Sequence, residues 1–183
     1  MKLRPHSEVW GIEPYKSAAD IGSQNLDVVL QGTFDEVSHL LPKASFDLVI
    51  CNDVIEHMTD HDKFFSDIRQ FLRPEGWLIG SIPNIRFYRT LFEIVMARDF
   101  EYQDQGVLDR THLRFFTFRS LERALKRANF KIERYEGIND YFELNDFSKL
   151  EIARWLFGLT LQIATLGRHR DIRYVQIGFR ARL

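Results

Sequence analysis

Phe46-Asp47-Leu48-Val49-Ile50-Cys51-Asn52-Asp53-Val54-Ile55-Glu56-His57 is the stretch on which the fold turns. Its first half is a compact apolar run rich in β-branched residues, the pattern of a buried strand. Its second half gathers polar and ionisable groups where that strand ends. Outward from it, strands and helices alternate. Upstream, Glu8–Glu13 and Leu26–Gln31 read as strands, Tyr15–Ser23 as a short helix, and Phe34–Leu41 as two helical turns before Pro42. Downstream, Phe64, Phe65, Ile68, Phe71 and Leu72 share one stripe of a helix over Asp62–Leu72. Arg73-Pro74-Glu75-Gly76 reads as a turn, Trp77–Ile82 as a strand, and Ile85–Ala97 as an apolar helix. Beyond a polar stretch, Arg98–Arg114, the pattern predicts an amphipathic helix over Phe118–Asn129 with Asn129 as its stop. A strand over Phe130–Ile138, a long apolar helix or helix pair over Phe147–Gly167, and a strand over Tyr174–Phe179 follow. The alternation predicts an α/β layered domain with a mostly parallel sheet.

Composition bounds the rest. A chain of 183 residues suits one domain, residues 1–183, and 45% hydrophobic residues supply a real core. With 25 basic against 26 acidic residues the net charge is −1, which gives no field to attract nucleic acid. The lone Cys51 excludes an internal disulfide and points to a reducing, cytoplasmic setting. Met1-Lys2-Leu3-Arg4-Pro5 is no secretory leader, and the apolar run from Trp155 to Gly167 is too short to span a bilayer. From Asp146 onward, seven basic residues face three acidic ones, either a draw for a phosphate-bearing ligand or a solvated face.

In open α/β sheets ligands sit beyond the carboxyl ends of strands. Glu13 ends the first strand, where it either accepts both hydroxyls of a ribose or is a surface glutamate before Pro14. Gly32-Thr33-Phe34-Asp35-Glu36 ends the second. There Phe34 offers a face for a flat ring, and Thr33 with Glu36 makes a capping box. After the third strand, Asp53 and His57 share a face if a helix starts there, as a base pair or as two metal ligands; alternatively Asp53 and Glu56 only start that helix. Asn84 is a natural cap for the helix behind it. The loop Leu108–Phe116 packs polar side chains between apolar anchors, either to face a cleft or to pair internally, Asp109 with Arg114 for instance.

Five segments in order now carry a resemblance: Val9–Pro14, Phe46–His57, Leu72–Trp77, Ser81–Asn84 and Asp109–Thr117. Together they resemble a class I S-adenosylmethionine-dependent methyltransferase, of the broad type that includes ubiquinone-biosynthesis O-methyltransferases and polysaccharide-cluster enzymes. The resemblance covers about residues 8–138, leaving 147–167 as an apolar helical insertion before the last strand. It implies a Rossmann-like, three-layer sheet, mostly parallel with an antiparallel late strand. It implies S-adenosylmethionine as cofactor, with Glu13 on the ribose, Thr33 and Phe34 beside the adenine, and Asn52 and Asp53 near the reacting methyl. His57 and His112 become the general-base candidates, and Asn84 and Arg110 face a small-molecule methyl acceptor.

Two departures qualify that expectation. Thr33 stands where such enzymes often carry an acidic residue. No two of the ten glycines lie within three residues of each other, so the glycine-rich turn that normally precedes the first strand here is absent. The sheet is therefore expected to be N-terminally truncated, with apolar edges exposed between the strands that start at Glu8 and Phe46. Those edges, or the 150–166 helix, favour a homodimer. The alternative to an enzyme is a non-catalytic remnant or partner subunit acting through such contacts; a nicotinamide-dependent oxidoreductase fares worse, because it needs the same glycine turn. Although Asp53, Glu56, His57 and His61 are close in sequence, only Asp53 and His57 share a helical face, and no metal is expected.

Overall fold

The computed structural model describes residues 7–142 and 148–183. The expectations for Met1–Pro5, and for Asp146 and Phe147, lie outside them. The chain forms two compact units, one up to Lys43 and one from Ala44 to Leu183.

The smaller unit is a β–α–β unit of parallel strands. Strand β1 (Trp10–Glu13) leads through helix α1 (Lys16–Gly22) to β2 (Val28–Gln31), and the strands pair in register from Trp10↔Val28 to Glu13↔Gln31. Gly32 then turns the chain at φ +144°, a conformation that strains any side chain. Thr33 and Glu36 form the expected capping box at the start of α2 (Phe34–Val37), and a 3₁₀ turn over Ser38–Leu40 completes the two helical turns read from the sequence.

In the larger unit the sheet runs β3-β4-β6-β5. Its strands are β3 (Phe46–Asn52), β4 (Leu72–Pro83), β5 (Lys131–Asp140) and β6 (Tyr174–Arg182). β4 is parallel to β3, and β6 is antiparallel to both β4 and β5. The antiparallel late strand is thus the third of four in space. Its pairs Leu78↔Ala181, Gly80↔Phe179 and Ile82↔Ile177 put one continuous buried stripe on a single face. Gly80 serves close approach: a Cβ there would lie 2.9 Å from the Phe179 ring and nearer still to the Cys51 carbonyl.

Helices α3 (His61–Ile68) and α5 (Phe118–Arg127) pack together, burying Phe64, Phe65 and Ile68 against the side of Leu121, Ala124 and Leu125. Asp60 and Thr117 cap their starts through Lys63 N–H and Ser120 N–H. A second cluster forms where α4 (Tyr88–Phe92) meets α6 (Lys149–Ala164): Phe87, Tyr88, Val107 and Ile172 are its buried centre, and Tyr88 lies against Gly158.

Several boundaries differ from the sequence reading. The helix expected over Asp62–Leu72 stops at Ile68, because Leu72 already pairs with Phe46 as the first residue of β4. Arg73–Gly76 is not a free-standing turn: it bulges within β4, whose register jumps from Phe46↔Leu72 to Leu48↔Trp77. The helix expected over Ile85–Ala97 begins at Tyr88, widens into a π-helical turn over Glu93–Ala97, and ends where Arg98 adopts φ +56°. The helix expected to carry Asp53 and His57 on one face does not form. Asp53 sits at φ +51° and the chain makes only a 3₁₀ turn over Ile55–His57. Three of the seven basic residues of the last segment form ion pairs: Arg154 bridges Glu93 and Glu151, Arg173 meets Asp140 at 2.7 Å, and Arg182 meets Glu133 at 2.9 Å.

Burial pushes the Cys51 thiol up to about 12. Iodoacetamide at pH 8 is therefore expected to leave Cys51 intact in the folded protein and to alkylate it readily in urea, read by mass spectrometry. Gly80→Ala is expected to cost about 1–3 kcal/mol through overpacking, read by urea unfolding.

Candidate functional site

The site grows from the way β3 ends. Cys51 is the last buried residue of the strand, and Asp53 leaves it in a left-handed turn fixed by two bonds. Its amide donates to the Ser81 carbonyl at 3.0 Å, and its carboxylate accepts from Gln176 Nε2 at 2.6 Å. The 3₁₀ turn that follows drives Ile55 and Glu56 inward, to 0% and 1% exposure, and leaves His57 at the surface. The Glu56 carbonyl then accepts two amides from a distant loop, Leu113 N–H at 2.8 Å and Arg114 N–H at 3.1 Å. A third bond joins His57 Nδ1 to the Thr111 carbonyl at 3.1 Å, and Arg114 also donates to the Thr59 carbonyl.

This stapling brings His112 to Glu56. His112 is buried, its Nδ1 lies 3.1 Å from the Val107 carbonyl, and its Nε2 lies 3.9 Å from Glu56 Oε1. The rings of His57 and His112 meet edge to face at 4.9 Å. Neither carboxylate oxygen of Glu56 has a hydrogen-bond partner among the described residues. Burial lifts its carboxyl to about 7, with its own amide opposing the rise and the Asp53 carboxylate adding to it. Thus His57 and His112, the two base candidates, do come together, around a buried carboxylate that the sequence offered as a helix-starting residue and as one of four ligand-type residues close in sequence. The adjacent Glu56-His57 pair behind two apolar residues was the available signal, because a short turn there must bury one of the two.

The remaining candidates are placed as follows. Glu13 ends β1 half-buried, with one carboxylate oxygen accepting the Tyr15 N–H at 2.9 Å. Thr33 gives its amide and its hydroxyl to Glu36, both at 2.8 Å, which holds the Glu36 carboxyl below its usual range; Phe34 is buried. Asn52 is exposed at the end of β3. Arg110 points outward and pairs with Asp104 at 2.5 Å. Asp109 accepts the amide and hydroxyl of Thr111, not Arg114, so the loop pairs internally by a different route from the one expected.

Asn84 is tied into the end of the sheet. It is fully buried, its Nδ2 donates to the Asp171 and Tyr174 carbonyls at 2.8 and 3.0 Å, and its Oδ1 accepts the Arg86 amide at 3.1 Å. These bonds clamp the end of β4 to the Asp171–Tyr174 segment that opens β6.

The methyltransferase domain family matches residues 2–135, and the chain belongs to it. It is a family of class I, Rossmann-like enzymes whose cofactor is S-adenosylmethionine. A malonyl-[acyl-carrier protein] O-methyltransferase of Methylovorus sp. (strain MP688) is 32% identical over 138 residues, 73% of this chain and 42% of that protein. A ubiquinone biosynthesis O-methyltransferase of Parvibaculum lavamentivorans is 27% identical over 140 residues, 75% of this chain and 47% of that protein. The chain thus spans about half the length of these relatives. In fold it is similar to a SAM-dependent methyltransferase from Archaeoglobus fulgidus, with TM-score 0.61, 15% identity, and coverage of 95% of this chain and 75% of that one. A second such structure, from Mesorhizobium loti, gives TM-score 0.57 at 16% identity, covering 97% and 81%.

Asn84→Ala removes the bonds to the Asp171 and Tyr174 carbonyls and to the Arg86 amide, and is expected to cost about 1–3 kcal/mol in urea unfolding with an unchanged m-value.

Proposed function

We propose that this chain takes part in methyl transfer from S-adenosylmethionine to an oxygen of a small-molecule acceptor. The observation that carries the reading is the Glu56–His57–His112 cluster at the carboxyl end of β3, the position at which an α/β sheet of this kind presents ligands. The cofactor supplies an electrophilic methyl on its sulfonium. The residues assigned to hold it are Glu13, Thr33, Phe34, Asn52 and Asp53. Tyr15 N–H holds one Glu13 carboxylate oxygen in place, which leaves the other to accept from a ribose hydroxyl. His57 takes the acceptor's proton. Its Nδ1 faces a carbonyl, which can only accept, so Nδ1 carries the hydrogen and Nε2 keeps the basic lone pair. Oxygen is favoured as the acceptor atom because the relatives named above are O-methyltransferases. The reducing cytoplasm suits the single buried cysteine.

The alternative, a partner subunit acting through self-association, is favoured by exposed apolar groups. Ile50 on edge strand β3 is 52% exposed, and Leu156 and Ile163 on α6 are 49% and 67% exposed. Light scattering of the eluting protein reads it directly: the dimer mass supports this reading, and the monomer mass at all concentrations removes it.

Calorimetric titration with S-adenosylmethionine and S-adenosylhomocysteine tests the leading reading. The expected result is micromolar binding weakened about tenfold or more by Glu13→Ala, a loss of about 1.4 kcal/mol. No heat at millimolar cofactor would overturn it for this chain.

A further inference from the structure

We propose that the outward face of α5 is a docking surface for an acidic helix of a protein partner. The face is built by spacing. Leu121, Ala124 and Leu125 turn inward, which leaves Arg119, Arg123, Lys126 and Arg127 exposed on the other side with Glu122 half-buried among them. Arg119, Arg123 and Arg127 follow one another at every fourth residue, a single stripe that advances about 6 Å per step.

Three observations set this stripe apart from an ordinary solvated face. Lys126 is held by Glu122 at 2.6 Å and Arg127 by Asp62 at 2.8 Å, so the acids beside the stripe are already spent. Arg119 and Arg123 have no hydrogen-bond or ion-pair partner among the described residues. Second, Arg119 stands in the first turn of α5, which carries no acidic residue. A cation there opposes the helix dipole, whereas Lys126 and Arg127 in the last turn complement it, so helix stability accounts for the second pair and not for Arg119. Third, the stripe ends at a cleft of about 220 Å³ lined by Asp62, Ser66, Arg69, Arg127, Ala128 and Asn129. Arg69, supplied by the end of α3, is half-buried, and its buried Nε has no hydrogen-bond partner among the described residues. A buried guanidinium donor left unpaired is costly, and a carboxylate entering the cleft satisfies it.

Charge and the absence of apolar groups name the occupant. Among the described residues no large apolar side chain is exposed between Leu113 and Ile138, so this face offers a lipid surface nothing to bury. A net charge of −1 and the carboxylates of Asp62 and Glu122 interleaved with the arginines disfavour a continuous phosphate backbone. A helix with a carboxylate at every fourth residue has the same step as the stripe. It sets one carboxylate against Arg119, one against Arg123 and one at the cleft, where Arg69 is unpaired. The planar guanidinium forks accept such groups in bidentate fashion, and charges arranged in register speed encounter and fix orientation. The surface stands whether or not the chain transfers methyl groups.

The test titrates the isotope-labelled full chain by NMR with a designed alanine-based helical peptide carrying glutamate at every fourth position. A control peptide of the same composition has its glutamates consecutive, which scatters them around the helix. The expected result is shifts confined to α5 and the end of α3, including the Nε–H signals of Arg69, Arg119 and Arg123. The control peptide is expected to bind at least about threefold more weakly, and Arg119→Glu combined with Arg123→Glu to weaken binding at least about tenfold. Both arginines are exposed, and an acid at position 119 suits the helix dipole, so Arg119→Glu is expected to raise the urea midpoint while it weakens binding. Absence of shifts at millimolar peptide, equal binding of the control peptide, tighter binding of single-stranded DNA or of anionic vesicles, or affinity unchanged in the double variant would each overturn the docking surface.

Discussion

The two amides of Leu113 and Arg114 converge on the Glu56 carbonyl, and the rest of the candidate site depends on that convergence. A carbonyl has two lone pairs, and here both are spent on the same distant loop, so the turn after β3 and the 107–114 segment move as one piece. The Thr111 carbonyl on His57 and the Val107 carbonyl on His112 are then consequences of position rather than separate achievements. Such main-chain bonds constrain direction without asking for particular side chains at 113 and 114. The chemistry-bearing groups are therefore held by a part of the fold that tolerates change around them.

A second constraint acts at the other end of β4. Asn84 ties β4 to the Asp171–Tyr174 segment that opens β6, and Gln176 of β6 reaches back to Asp53. The left-handed residue after β3 is thereby fixed from two strands away. Strain at Asp53 is offset by these bonds, and the short turn it permits is what buries Glu56.

The sheet and the amphipathic helices were legible because they rest on local periodicity. β3 shows as an apolar run, α5 as a one-sided stripe ended by left-handed Asn129, and α2 by its capping box. The cofactor-facing roles proposed for Glu13, Thr33, Phe34, Asn52 and Asp53 rest on the family resemblance. Asp53-Val54-Ile55-Glu56 was misleading because the same residue types that start an α-helix also suit a left-handed turn, and a hydrogen bond from Gln176, 123 positions away, decides between them. The approach of His112 to Glu56 had no local signal either; it is made by main-chain bonds between distant segments. Asn84 read as a polar group at a strand end, where ligands bind, while its partners Asp171 and Tyr174 lie some 90 residues on.

The antiparallel β6 lies between β4 and β5, although it follows both in the chain. During synthesis β4 and β5 therefore leave the ribosome as strands that cannot pair with each other and must wait for a later segment to separate and join them. Pairings of this kind close large loops, so the last step of folding is also the one with the greatest entropic barrier. Until it happens, the apolar stripe of Leu78, Gly80 and Ile82 has no Phe179 to cover it, and the nascent chain carries an open strand edge for which chaperones have an evident use.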